Sequence, residues 1–322
     1  MDILWNLIFL SLGLLLVIKG GDWFVDSSVS IARHFHVPRM VIGGTLVSIG
    51  TTLPELIVSA TASFLGDSGI AIGNAVGSSI ANIGLIVGVM AMMTHVTVDI
   101  KAFRRRSCWM VIAALLVVIL CWDMYLSRSE GTVLLILGLA YLFFDYWSMR
   151  GSKKRGIGTT EVFEEGGQKE GIKKSWVFFL LGAVLVVVGS KFLVDSGSAI
   201  ALALGIPSVL IGLSVIAIGT SLPELVTAVA SARKNVPDLS IGNIVGANIL
   251  DLALIAGVSG VIHPLNLTNE TRLYSFPWMA VFILFMVGRF AICGNAGRKQ
   301  GIMMLILYGL YMAGIILIPF YF

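Results

Sequence analysis

Ten long apolar runs divide this chain, and each is close to the length of a helix that crosses a bilayer. Crossing the hydrocarbon core takes about 20 helical residues. The expected spans are residues 3–20, 41–64, 70–94, 107–124, 131–149, 175–194, 208–232, 239–262, 274–292 and 301–321. The pattern therefore predicts an all-α integral membrane protein with ten transmembrane helices.

The composition agrees with this prediction. Of the 322 residues, 57% are hydrophobic and 12% are charged, whereas about a quarter of the residues of a soluble globular protein are charged. The first apolar run has no basic stretch before it and no small-residue cleavage site after it, so we expect a retained span rather than a signal peptide. The ten spans leave little chain for a domain outside the membrane, which indicates a single polytopic body.

The distribution of positive charge predicts the orientation in the membrane. Nineteen of the 22 Lys and Arg residues fall in one alternating set of loops and three fall in the other set. Because cytoplasmic loops carry the excess of Lys and Arg, both termini are expected on the outer side of the plasma (inner) membrane. The net charge of +4 reflects this bias and gives no reason to expect a nucleic acid partner. No obligate protein partner is implied.

One segment of the chain occurs twice. Gly-Thr-Thr-Leu-Pro-Glu occupies residues 50–55, and Gly-Thr-Ser-Leu-Pro-Glu occupies residues 219–224. At this offset of 169 residues, 15 of the 41 positions from Ile42 to Asn82 are identical. The copies lie five spans apart and five is odd, so they enter the membrane from opposite sides. This predicts two inverted five-helix repeats.

The inverted repeat divides the chain into three parts. Residues 1–149 form the first transmembrane repeat with spans 1–5, and residues 175–322 form the second with spans 6–10. Residues 150–174, rich in Gly, Lys and Glu, form a cytoplasmic linker that is too short to fold as a domain.

The repeated segment places a carboxylate near the middle of spans 2 and 7. A bare carboxylate at the bilayer centre costs roughly 3 kcal/mol or more, so Glu55 and Glu224 need partners or water. Neither span contains a Lys or Arg to pair with them. The missing positive charge is therefore predicted to be a mobile cation.

The neighbouring residues add oxygen ligands. Pro54 and Pro223 cannot donate a backbone hydrogen bond, which frees carbonyl groups one turn earlier. The candidate ligands predicted from the residues alone are Thr51, Thr52, Glu55, Ser78, Asn82, Thr220, Ser221, Glu224 and Asp251. This set contains three acidic groups and no nitrogen or sulfur ligand, which suits calcium or sodium better than zinc or copper. The three cysteines show no metal spacing, and no cofactor is expected.

The two blocks resemble the alpha-1 and alpha-2 repeats of the calcium/cation antiporter superfamily, with the prokaryotic members of its sodium/calcium exchanger branch nearest. The resemblance covers all ten spans and implies two inverted halves that export calcium in exchange for sodium. It also implies roles for individual residues. Glu55 and Glu224 would bind calcium, helped by the backbone carbonyls of Thr51 and Thr220, and Asn82 and Asp251 would flank the site. The implied sodium ligands are Ser48 (backbone), Thr52 and Ser78 in the first repeat, and Ala217 (backbone) and Ser221 in the second.

The second repeat departs from the family pattern, because Ala247 stands where a sodium-coordinating serine is expected. The hypothesis is an alternating-access antiporter in which calcium and sodium compete for one cluster. Proton coupling of calcium or another cation is the first alternative, and a cation channel is the second. An intramembrane hydrolase is disfavoured because no buried His or Cys nucleophile pair lies in the spans, and no enzymatic activity is expected.

Overall fold

The computed structural model describes residues 3–35, 37–155, 171–203 and 217–317, and these residues are almost entirely helical. The first half contains helices α1 (Ile3–Phe35), α2 (Arg39–Ile42), α3 (Ser48–Thr51), α4 (Leu53–Phe64), α5 (Ser68–Ala81), α6 (Gly88–Met93), α7 (Ile100–Leu120) and α8 (Arg128–Arg155). The second half contains α9 (Ile172–Ala203), α10 (Ala217–Thr220), α11 (Leu222–Arg233), α12 (Pro237–Ile249), α13 (Ala256–Ile262), α14 (Phe276–Cys293) and α15 (Arg298–Leu317).

Wide helical turns connect several of these helices. The π-helical segments are Gly43–Val47, Asn82–Val87, Leu250–Ile255 and Thr271–Ser275. Single π-helical turns inside α-helices are frequent at functional sites, and the second and third begin at or next to Asn82 and Asp251. The first immediately precedes Ser48. Three of the four wide turns therefore lie beside candidate ligands.

Four two-residue strands join the two halves of the chain. β1 (Val96–Thr97) pairs antiparallel with β4 (Asn295–Ala296), and β2 (Tyr125–Leu126) pairs antiparallel with β3 (Leu265–Asn266). Each pair thus takes one strand from each half.

Six helical segments of the described chain are long and apolar enough to cross a membrane: Leu4–Phe35, Ser68–Met93, Arg128–Trp147, Ile172–Gly189, Pro237–Ile262 and Thr271–Cys293. A seventh is added if Arg39–Thr51 and Leu53–Phe64, bent by 45°, count as one broken span. The most apolar stretches of Ser68–Met93 and Pro237–Ile262 are 72% and 83% buried, against 28–33% for the other four. These two spans therefore form the interior of the bundle.

Three of the ten expected spans are not among these segments. The expected span 107–124 lies in α7 up to Leu120, and residues 101–106 of α7 include four Lys and Arg. The expected span 208–232 is described only from Ala217, and 301–321 only up to Leu317. The linker 150–174 lies largely outside the described residues. The count of ten spans remains a prediction.

The first helix is longer than the sequence pattern predicted. It continues to Phe35, where the expected span ended at residue 20. Two acidic residues beyond residue 20 remain in the helix and lie near Lys234, whose Nζ is 2.7 Å from Asp26 Oδ1 and 3.7 Å from Asp22 Oδ1. Between the two acidic residues α1 packs against α9, with the rings of Phe24 and Phe179 stacked at a centroid distance of 4.6 Å.

Glycines bring the first half very close to α12. A Cβ atom on Gly246 would lie 2.5 Å from the carbonyl oxygen of Gly44 and 2.7 Å from Ser48 Oγ. A Cβ on Gly242 would overlap the carbonyl oxygen of Met40. The small residues of this Gly-x-x-x-Gly pair allow backbones to approach closely, as at many membrane helix interfaces. The contact fixes Ser48 against α12.

A fully buried ion pair between α7 and α8 lies near the wide turn Gly43–Val47. Arg106 of α7 donates from Nη2 and Nε to Asp145 Oδ1 of α8, at 2.7 and 3.1 Å, and both side chains are inaccessible to solvent. One turn earlier on α8, the hydroxyl of Tyr141 donates to the carbonyl oxygen of Gly44 at 2.7 Å. α7 and α8 thus hold the wide turn that leads into Ser48.

Candidate cation site

Both candidate carboxylates lie in the first turn of a helix that starts after a break. Thr52 (φ −85°, ψ 2°) ends the helical path before α4, and Ser221 (φ −88°, ψ 8°) does the same before α11. The proline two residues after each break has no N–H to donate to the carbonyl four residues before it. Glu55 and Glu224 follow the prolines directly, where the positive end of the helix dipole stabilises an anion.

The candidate side chains are buried. The exposed fraction is 8% for Thr220 and 5% or less for the others whose burial is described: Ser48, Thr51, Thr52, Glu55, Ser78, Asn82, Ser221, Glu224 and Asp251. Ala217 begins α10, and its side chain lies outside the description. A candidate site that is closed to solvent must satisfy its polar atoms internally or with a bound ion.

The Thr51 hydroxyl lies near the Glu224 carboxylate, but six oxygens of these side chains make no hydrogen bond of good geometry. They are Glu55 Oε2, Ser78 Oγ, Asn82 Oδ1, Glu224 Oε1 and Oε2, and Asp251 Oδ1. Leaving a buried carboxylate oxygen unpaired is expensive. A bound cation would supply both the ligand contacts and the positive charge that the protein does not provide.

Contacts between the halves bring several of these residues together. Ser221 Oγ donates to Glu55 Oε1 at 3.4 Å, and Asn82 Nδ2 donates to Asp251 Oδ2 at 3.4 Å. Glu55 is also close enough to Glu224 and Asp251 for electrostatic repulsion. The carboxylates predicted from the sequence therefore share one buried region.

The carboxylates of the predicted oxygen cluster need neutral ligands beside them. Within the described ranges, three or more Asp, Glu, His or Cys side chains do not group closely enough to hold a metal by themselves. The polar contacts of Glu55 and Asp251 are instead with a hydroxyl and an amide. Neutral oxygens must contribute to any cation site here.

The implied first-repeat sodium ligands Ser48 and Thr52 are adjacent in the structure. The carbonyl oxygen of Ser48 accepts hydrogen bonds from Thr52 Oγ1 at 2.7 Å and from the Thr52 N–H at 2.9 Å. A cation bound to this carbonyl would compete with the two donors. Ser78, implied in the same site, has an unpartnered hydroxyl.

Sequence reasoning missed two asparagines that bind the candidate threonines. Thr51 Oγ1 donates to Asn243 Oδ1 and Thr220 Oγ1 donates to Asn74 Oδ1, each at 3.1 Å. The two contacts are related by the 169-residue offset. Both asparagines follow a glycine at equivalent places in the second repeated block, and this repetition was the signal that could have identified them.

The side-chain nitrogens of the two asparagines differ in their hydrogen-bond acceptors. Asn74 Nδ2 donates to Ser59 Oγ at 2.9 Å and to the Glu55 carbonyl at 3.2 Å. Asn243 Nδ2 is buried without a partner, and Ala228 stands at the position equivalent to Ser59. The region around Glu224 is therefore held by fewer hydrogen bonds.

The sodium/calcium exchanger protein family model matches residues 5–147 and 174–317, most of both halves. The chain belongs to the sodium/calcium exchanger family. It is similar to the sodium/calcium exchanger MaX1 of Methanosarcina acetivorans, with 32% identity over 94% of this chain and 96% of that protein. It is also similar to the inner membrane protein YrbG of Escherichia coli, with 34% identity over 92% of each chain.

A solved exchanger structure has a similar fold. The sodium-calcium exchanger NCX_Mj, soaked with sodium and strontium ions, matches with a TM-score of 0.81 and 34% identity, over 97% of this chain and 99% of that one. The family and the buried oxygens point to the same class of ligand, a small metal cation.

Proposed function

We propose that this protein exchanges calcium for sodium across the membrane by alternating access. The observation that carries the proposal is the set of unpartnered, buried oxygens around Glu55, Glu224 and Asp251, next to two broken helices. Helices interrupted inside the membrane are typical places for substrate and coupling ions in transporters.

The ligand types support calcium and sodium as the transported ions. Carboxylate, amide, hydroxyl and carbonyl oxygens suit these hard cations. In the proposed arrangement Glu55 and Glu224 bind calcium together with the carbonyls of Thr51 and Thr220, beside Asn82 and Asp251. Sodium binds at Ser48, Thr52 and Ser78 on the first-repeat side, and at Ala217 and Ser221 on the second-repeat side.

Exchange follows from the charge of the site. The carboxylates can neutralise one set of cations at a time, so calcium and sodium exclude each other. Without a cation, the buried negative charge would have to cross a region of low dielectric during the inward–outward transition, which is costly. Only the loaded protein therefore changes state, and α1 and α9 slide across the remaining helices when it does.

The proposed architecture has ten spans in two inverted repeats, residues 1–149 and 175–322, joined by a cytoplasmic linker at 150–174. Several pairs of features at or near the 169-residue offset support it. Thr52 and Ser221 both break a helix, and Gly66 (φ 81°) and Asn235 (φ 55°) both take a left-handed conformation after the following helix. The strand pairs are exchanged between the halves in the same way.

The excess of Lys and Arg in one set of loops supports a cytoplasmic location for the linker. Both termini then lie on the outer side of the inner membrane. The relative YrbG is named an inner membrane protein, which agrees with this proposed location.

Calcium flux into inverted vesicles tests the function. An imposed outward-directed sodium gradient is expected to drive calcium movement in the opposite direction, and collapse of the gradient with a sodium ionophore is expected to stop it. A parallel preparation receives a pH gradient of equal size. Flux that responds to pH and is indifferent to sodium would replace sodium coupling by proton coupling.

A further inference from the structure

The side-chain amide of Asn82 is held by a chain of contacts that continues beyond the candidate ligands. Its Nδ2 donates to Asn248 Oδ1 at 3.0 Å as well as to Asp251 Oδ2 at 3.4 Å. Asn248 Nδ2 in turn lies 3.7 Å from Met110 Sδ on α7. Asn82, Asn248 and Met110 are all at most 1% exposed, so the chain of contacts is closed to solvent.

With Asp251 ionised, the chemistry of these groups fixes the direction of every hydrogen bond. A carboxylate only accepts, so the part of the Asn82 amide that faces Asp251 is its NH₂ group. Asn248 must then present its oxygen to that NH₂ group. Its own NH₂ group is left to face the weakly accepting sulfur of Met110. As a result Asn82 Oδ1 is the atom without a partner.

We propose that Asn248 is a positioning residue that directs the oxygen of Asn82 toward the transported cation. The inference rests on the proposed function, in which Asn82 is a ligand. An amide that rotated by half a turn would present NH₂ to the cation, and an NH₂ group cannot coordinate it. Asn248 and Asp251 both oppose that rotation, because each presents an oxygen that accepts a hydrogen bond from the Asn82 NH₂ group, and the contact with Asn248 is the shorter of the two.

The first repeat has no asparagine at the position equivalent to Asn248. At the 169-residue offset, the positions equivalent to Asn82 and Asn248 are Asp251 and Ser79. Ser79 is fully buried and its hydroxyl has no partner. A carboxylate presents oxygen whichever way it rotates, so Asp251 needs no such constraint. The asparagine is therefore found opposite the one flanking ligand whose orientation matters.

Asn248→Ala tests the proposal in the full-length transporter, with Ser79→Ala as the matched control at the equivalent position. Removing a partner that orients a metal ligand typically weakens metal affinity by about 10- to 100-fold. We expect Asn248→Ala to raise the half-saturating calcium concentration by that factor, with little change in the maximal rate at saturating calcium. Ser79→Ala is expected to change neither quantity. An unchanged half-saturating concentration in Asn248→Ala overturns the inference.

A double-mutant cycle separates orientation from packing. In an Asn82→Asp background the ligand is symmetric, so Asn248→Ala is expected to lose most of its effect on calcium affinity, measured by direct calcium binding to purified protein. Equal fold-changes in the two backgrounds would mean that Asn248 acts through packing alone, and the proposal fails.

A further variant covers the case in which Asn248→Ala does not fold. Met110→Leu keeps the side-chain volume nearly unchanged and removes only the acceptor behind Asn248. It is expected to weaken calcium binding in the same direction but less, and unchanged binding would overturn the inference. Absence of sodium-driven flux in the unmodified protein would instead contradict the proposed function itself, so the two failures are distinguishable.

Discussion

The hydroxyl of Thr51 donates to the side-chain oxygen of Asn243 at 3.1 Å, across the two halves of the chain. The same contact occurs in reverse between Thr220 and Asn74. Each broken helix is thus tied to the opposite half through a hydroxyl, which leaves the threonine carbonyl as the group that can face a cation. The two ties are not equally strong, because only Asn74 has partners for its amide nitrogen.

Ala228→Ser is expected to stabilise the protein by giving Asn243 Nδ2 the partner that Ser59 gives Asn74. A hydrogen bond inside a membrane protein contributes about 0.6 kcal/mol on average, so we expect a small rise in the unfolding temperature in detergent. Ser59→Ala, the reciprocal change, should lower it. If Ala228→Ser destabilises the protein, the two asparagines do not occupy equivalent environments.

Glu55→Gln and Glu224→Gln are each expected to abolish calcium transport. Each change removes a negative charge that the proposed site needs and leaves side-chain size nearly unaltered. Flux into vesicles checks this, with Glu270→Gln as the control because Glu270 is exposed and lies at the start of the helical segment that leads into α14. Near-normal transport by either site variant would show that the assigned carboxylate does not bind the cation.

Ala247→Ser is expected to strengthen sodium dependence. Ala247 is fully buried at the position equivalent to Ser78, whose hydroxyl has no protein partner, and a serine there restores a hard oxygen ligand. The half-saturating sodium concentration for calcium exchange is expected to fall. Ser78→Ala should raise it. A sodium dependence unaffected by Ala247→Ser would mean that position 247 does not contribute to a sodium site.

Asp145→Asn is expected to destabilise the protein strongly. Breaking a buried pair typically costs about 3–5 kcal/mol, because one charge is left without compensation, whereas replacing both partners by apolar groups is often neutral. Arg106→Met combined with Asp145→Leu should therefore recover most of the lost stability, measured by thermal unfolding in detergent. A double variant no more stable than Asp145→Asn would show that the pair is needed for more than charge balance.

Much of the site could be predicted from the sequence because its chemistry is duplicated. The two Leu-Pro-Glu segments identified the helix breaks, since proline cannot complete the hydrogen bond that a continuous helix needs. The partners across the halves could not be predicted, because they depend on which helices touch. Nothing in the local sequence of Asn248 indicates that it faces Asn82, or that Met110 of α7 lies behind it.

The ends of the helices were less predictable than their positions. Charged residues in α1 suggested that the first span ends near residue 20, but the helix continues to Phe35, and Lys234, more than 200 residues later, lies 2.7 Å from Asp26. A sequence pattern records that a residue is charged and does not record its partner. Charged residues that lie inside a helix and have distant partners therefore mislead a boundary prediction.

The exchange of strands between the halves has a consequence for synthesis of the protein. Val96–Thr97 cannot form its ladder until Asn295–Ala296 has been made, and Tyr125–Leu126 must wait for Leu265–Asn266. The first half therefore leaves the ribosome with two unpaired strand segments. Both strand pairs form only after the second half has been made. Each half thus supplies strands that the other half needs. Separately expressed halves are expected to associate in the membrane.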